Sequence, residues 1–231
     1  LSYPYNDETV YWPTEKSGFI KTTLSEGMGD DGFYAAFAIS TPEHGGTHMD
    51  APYHFDINGD TAEAVPLSRL MAPAVVIDVS EKAAADRNYR LAPEDVTAFE
   101  AAHGEIPPGA IVLMRTDWSR YWPDAEAYLG GDDPAALSFP SFGAEAVRLL
   151  AEERRVGALG LDTASTDYGL SRSFPVHRIM GAANVPGFEN LTNLDKLPPT
   201  GAFMIALPMK IEGGSGAPLR AVALVPKSDD P

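Results

Sequence analysis

The chain has 231 residues, 44% of them hydrophobic, no cysteine and a formal net charge of −16. Such a chain can bury a sizeable core, has no disulfides, thiolate nucleophiles or cysteine-type zinc sites, and lacks the basic stripe that nucleic acid or an anionic membrane surface would require. No apolar run approaches a membrane span and no linker or low-complexity tract divides the sequence, so one domain over residues 1–231 is expected.

The sequence begins at Leu1 with neither an initiator methionine nor a signal peptide, which is compatible with a trimmed leader; a cytoplasmic location is expected, with the periplasm left open. After an aromatic opening at Tyr11, Trp12 and Pro13 comes the most informative stretch. Residues 44–55 read His-Gly-Gly-Thr-His-Met-Asp-Ala-Pro-Tyr-His-Phe and hold three of the five histidines. Pro42, Gly45, Gly46 and Pro52 oppose a helix here, so the segment is expected to be extended. In an extended chain His48, Asp50 and His54 share a face, with His48 and Asp50 roughly 7 Å apart at Cα, close enough to reach one ion. His44 has the same parity, and the glycine pair lets the backbone bend so that its imidazole converges. Imidazoles and a carboxylate without thiolates suit Zn²⁺, Mn²⁺, Fe²⁺ or Ni²⁺ and are more often catalytic than structural. A polar loop with backbone-bonded histidines would leave the spacing unexplained.

Further along, residues 67–71 are expected to make a single turn and residues 74–79 and 110–115 to be strands, with a proline-started helix at 93–102 between them. His103, before Gly104, reads as a helix C-terminus and not as part of a site. A helix is expected at 142–155 and strands at 158–161, 202–207 and 221–225. The third strand ends in a polar cluster, residues 162–167, where Asp162 is the expected functional member, either orienting a ligand histidine or shaping a pocket wall. Strands outnumbering helices indicate an α/β or α+β fold.

Residues 44–54 match every fixed position of the His-x-Gly-Thr-His-x-Asp-x-Pro-x-His signature, and the chain thereby resembles the cyclase family of metal-dependent amide hydrolases, which includes bacterial kynurenine formamidases and isatin hydrolases. The blocks Phe174-Pro175-Val176-His177-Arg178-Ile179 and Glu189-Asn190-Leu191, and a C-terminal segment from Leu207 through Leu224, are similar to the family as well. The resemblance implies an α/β domain with a central curved, partly barrel-like β-sheet flanked by helices. It implies metal ligation by His44, His48, Asp50, His177 and Glu189, with His177 and Glu189 completing a second site beside the first and Asp50 bridging. It also implies His54 as the acid/base residue, with His177 beside it in the catalytic centre. One or two divalent ions, Mn or Zn, a small aromatic amide substrate and a homodimer or higher homo-oligomer are expected.

Amide hydrolysis is the chemistry such a site serves, because a divalent ion both acidifies water and polarises a carbonyl. Gly214-Ser215-Gly216 reads as a turn and not as a serine nucleophile elbow. The opening Tyr11-Trp12-Pro13-Thr14 looks more like the isatin-hydrolase branch, since Thr14 and Glu15 depart from the Trp-Pro-Gly-Asp segment usual in formamidases. Opening of isatin to isatinate is therefore expected, with arylformamidase activity as the alternative. A non-catalytic metal-dependent binding role is a second alternative, against which the intact His54 argues. Trp12 and Trp118 are candidate walls for a planar substrate.

Overall fold

β-Branched and aliphatic residues dominate the middle of the chain, and there they pair as parallel strands. The computed structural model describes residues 1–227. In chain order its elements are β1 (Ile20–Gly29), β2 (Gly32–Ser40), β3 (His48–Asp50), α1 (Leu67–Leu70), β4 (Met71–Asp78), α2 (Ser80–Ala85), β5 (Arg90–Leu91), α3 (Pro93–His103), β6 (Ile111–Arg115), α4 (Ala125–Leu129), β7 (Ser141–Phe142), α5 (Ala144–Arg148), β8 (Ala158–Leu161), α6 (Pro175–Ala182), β9 (Gly187–Glu189), β10 (Ala202–Pro208) and β11 (Gly216–Leu224). Seven strands close a barrel in the order β10-β11-β3-β9-β8-β6-β4. The run β4-β6-β8-β9 is parallel and the remaining pairs are antiparallel.

Alternation along the strands sorts residues into two cores. Met49, Ala74, Val76, Ile111, Leu113, Phe188, Met204 and Ala206 fill the barrel, while Val75, Ile77, Val112, Met114 and Leu161 face outward against α3, α5 and α6. Burial on both faces explains why these strands read as continuous apolar runs. Among the described residues, no helix is long and apolar enough to cross a membrane.

Expected and observed elements differ where local pattern is weak. The helix expected at 142–155 starts two residues late, because Ser141 and Phe142 pair with β5, and α5 continues through a π-helical turn at Leu149–Glu153. His103 ends α3 as expected, with Gly104 at φ 92° beyond it. The hairpin β1–β2 has no counterpart among the expected elements, because its apolar residues occupy both faces and give no clean alternation. Helix α6 is only eight residues long and was equally unexpected.

Candidate active site

Antiparallel pairing sets His48 directly opposite Glu189, and directly opposed residues share a face of the sheet. Met49 and Phe188 turn into the barrel, so His48, Asp50 and Glu189 turn out of it. Helix α6 covers that outer face and brings in His177, which is buried. Over His48–Asp50 the chain is extended as expected, but Pro52–His54 is a 3₁₀ turn, with proline at its start. His54 therefore reaches the site by a turn and not by strand alternation. Its ring stacks on that of His44 at 3.9 Å between centroids.

Asp50 is the hub. Its Oδ1 lies 2.7 Å from His44 Nδ1 and 3.2 Å from His48 Nε2, and its Oδ2 lies 3.0 Å from His177 Nε2. Glu189 adds oxygens 3.7 Å from His48 Nε2 and 3.4 Å from His177 Nε2. Each imidazole is tethered through its other nitrogen. His48 Nδ1 donates to the Gly46 carbonyl at 3.0 Å, and His177 Nδ1 donates to Asp167 Oδ2 at 2.7 Å. Ser215 Oγ donates to Glu43 and so accepts from His44 Nε2 at 2.8 Å. With those protons committed outward, three ring lone pairs face the two carboxylates.

That arrangement calls for positive charge at its centre. Burial would raise the Asp50 pKa, yet hydrogen bonds from His177, His44 and His48 hold it well below the usual carboxylate value. Burial and the neighbouring Asp50 charge push Glu189 up. Burial would lower His177, but hydrogen bonds to Asp167, Asp50 and Glu189 raise it well above 6.5. His48 and His177 thus favour the protonated form when nothing else balances the carboxylates, and a divalent cation can replace those protons. His44, His48 and Asp50 converge within ligating reach of one another, as do Asp50, His54 and His177. The donor chemistry fits a divalent ion, and tethering of each ligand ring to an outer acceptor is the usual support of such a centre.

Backbone conformation enforces the geometry at two glycines. Gly46 sits at φ 56° and turns its carbonyl toward both His48 and the Asn190 amide. A Cβ on Gly216 would lie 2.5 Å from the His44 ring, so only glycine leaves room for that imidazole.

A cavity of about 290 Å³ opens onto the cluster. Trp12, Phe55, Leu129 and Phe174 wall it, and His54 and Glu189 reach its floor from the histidine–carboxylate cluster. Two expected site residues are absent from it. Trp118 is buried at 2% exposure and its Nε1 donates to the Tyr128 carbonyl, so it packs in a core behind the pocket and forms no wall. Asp162 accepts from Thr116 and from the Trp118 backbone, which holds the turn after β6; burial raises its pKa to about 6, and it touches no ligand histidine. The carboxylate that orients His177 is Asp167, five residues on, which also accepts from the backbone nitrogens of Val176 and His177 at the start of α6. Both acids belong to the same polar cluster, and only the position of α6 distinguishes them. Phe55, Phe174, Glu43 and Ser215 were likewise unmarked, although Phe55 and Phe174 flank histidine-bearing motifs.

Asp167→Asn and Ser215→Ala are each expected to weaken metal affinity roughly 10- to 100-fold with the fold retained, since each loosens one ligand ring. Competition titration against a chelator measures this. Unchanged affinity in both variants would remove the tethering role.

The Cyclase family model matches residues 1–168. An isatin hydrolase from Roseibium aggregatum is 39% identical over 89% of this chain and 80% of its own. A kynurenine formamidase from Salinibacter ruber is 32% identical over 96% and 94%. In a solved structure, an isatin hydrolase bound to the product analogue thioisatinate superposes with a TM-score of 0.89 at 36% identity, covering 98% of this chain and 91% of that one.

Proposed function

The chain belongs to the Cyclase family, and from that premise we propose that it is a metal-dependent amide hydrolase that opens the lactam ring of isatin to isatinate. The observation that carries the substrate is the lining of the cavity: aromatic and aliphatic walls, a floor of imidazoles and carboxylates, and no lysine or arginine among the described residues. A flat, neutral bicyclic ring is satisfied by such walls. The amino-acid carboxylate of N-formylkynurenine would enter without a cationic partner, and an unpaired buried charge is costly. The relationship to isatin hydrolases supports the same reading.

A divalent ion held by His44, His48, Asp50, His177 and Glu189 would lower the pKa of water and polarise the lactam carbonyl. His54 does the proton work. Burial lowers its pKa to about 4, so its imidazole is neutral at pH 7 and free to accept a proton from the attacking water. As water adds to the carbonyl carbon and the carbon–nitrogen bond breaks, the same imidazole hands that proton to the leaving nitrogen, and the second proton of the water is lost from the new carboxyl group to solvent, leaving an amine and a carboxylate. Trp12, Phe55 and Phe174 hold the ring and exclude bulk water.

N-formylkynurenine hydrolysis is the second reading, favoured by the formamidase relative that spans nearly the whole chain. A side-by-side assay of the metal-loaded protein separates the two. Measured kcat/KM is expected to favour isatin by roughly tenfold or more, the discrimination available when one buried polar partner is missing. Trp12→Ala should raise the KM for isatin more than it lowers kcat, because a wall contributes ground-state binding. Equal or greater efficiency on N-formylkynurenine would replace isatin as substrate and leave the hydrolase in place.

A further inference from the structure

Ser165 lines the cavity but belongs neither to the ion-binding cluster nor to the proton transfer assigned to His54. It is 5% exposed. Its Oγ accepts the Asp167 backbone N–H at 3.2 Å, and its own proton has no acceptor among the described residues. Accepting from a nearby backbone nitrogen is what a serine does in a turn, but a turn leaves the hydroxyl proton without a task. A hydroxyl can donate as well as accept, and a buried donor without a partner is costly. The other hydroxyl at the cavity is already spent: Tyr11 donates to Thr41 Oγ1 at 2.7 Å, since Thr41 donates onward to the Pro42 carbonyl.

The next residue fixes where that donor stands. Thr166 gives its backbone N–H to Glu189 Oε1 at 2.7 Å and holds its Oγ1 3.3 Å from both ring nitrogens of His177. Ser165 is thereby placed beside the Glu189 and His177 end of the cluster, at the margin between the carboxylates and the aromatic walls.

Building on the reading of isatin as substrate, we propose that the Ser165 hydroxyl donates to a second carbonyl of the substrate, adjacent to the scissile one, and so selects a vicinal dicarbonyl over a simple lactam. In a five-membered ring fused to benzene, the two carbonyl oxygens project from neighbouring carbons along one edge. A scissile carbonyl at the cluster therefore carries the ketone oxygen to the cluster's margin, where Ser165 stands. Trp12, Phe55 and Phe174 offer that oxygen only ring faces and edges, and a carbonyl desolvated without a donor is penalised. The filter works in both directions. An analogue lacking the ketone leaves the buried hydroxyl unpaired, which discriminates more sharply than a difference in shape.

Ligands that bind without being hydrolysed test this apart from turnover. Indane-1,2-dione keeps both adjacent carbonyls and has carbon in place of the amide nitrogen, whereas 2-indanone lacks the ketone next to the benzene ring. Calorimetric titration of the metal-loaded wild-type protein is expected to favour the dione, and Ser165→Ala to shrink that preference roughly tenfold. A preference arising at the ion is common to both proteins, so the change in ratio reads the hydroxyl. Circular dichroism and metal affinity should be retained in Ser165→Ala. An unchanged ratio in Ser165→Ala, or a wild-type protein that does not favour the dione, overturns the proposal. Weakened metal affinity with both ligands weakened alike also overturns it, because Ser165 would then serve only the turn that holds Asp167. A wild-type protein whose dione preference depends on Ser165 but which fails to open isatin would instead overturn isatin as substrate and keep the dicarbonyl class.

Discussion

Asp50→Ala protein is expected to fold, to carry little or no bound metal and to lose turnover by roughly 10³-fold or more, the scale that follows when several kcal/mol of metal-supplied transition-state stabilisation disappear. Asp50 is the most consequential single position because both its oxygens are in use, Oδ1 toward His44 and His48 and Oδ2 toward His177. Without it the three imidazoles face one another across a gap with only Glu189 to balance a cation. His48→Ala should behave similarly, since it removes the ring that sits between Asp50 and Glu189. The barrel should survive either change, because Met49 and Phe188, not the outward-facing ligands, fill its interior. Elemental analysis of the purified variants, circular dichroism and a turnover assay measure the three outcomes. Stoichiometric metal with near-normal turnover in Asp50→Ala would remove Asp50 from the centre.

His54→Ala should produce a different pattern: kcat lower by on the order of 10²- to 10⁴-fold with metal occupancy retained. His54 stacks on His44 and lies within ligating reach of Asp50 and His177, so proximity alone fits either a ligand or a proton carrier. Metal content decides between them. Its position on a 3₁₀ turn at the cavity, together with a pKa lowered to about 4 by burial, favours proton transfer. Below that pKa the imidazolium has no lone pair to accept a proton, so activity dependent on His54 should fall as pH drops toward it, and the variant should lose that dependence. Loss of metal in His54→Ala would make it a ligand instead.

The contrast between these residues and the rest of the site follows sequence distance. His44, His48, Asp50 and His54 lie within eleven positions, and their spacing, the flanking prolines and the glycine pair constrain the local backbone enough to be read directly. The parallel strands β4, β6 and β8 were legible for a similar reason: burial on both faces demands nearly unbroken apolar runs such as residues 111–114. His177 and Glu189 carry no comparable local pattern, and only resemblance to a family marked them.

Tertiary structure alone decided the remainder. Register between β3 and β9 brings Glu189 opposite His48 across 141 positions of sequence, and the docking of α6 selects Asp167 over Asp162 as the acid that holds His177. Within the polar cluster at 162–167 both aspartates look alike, because hydrogen-bond partners are set by what packs against them and not by their neighbours in the chain. Trp118 and Trp12 differ for the same reason: one follows β6 into a core behind the pocket and the other lines the cavity. Local sequence determined which residues can ligate, alternate or turn, since those properties depend on a few consecutive torsions and side-chain types. Which of them meet was decided by strand register and helix packing, where contacts between residues far apart in the chain are formed only when the whole barrel closes.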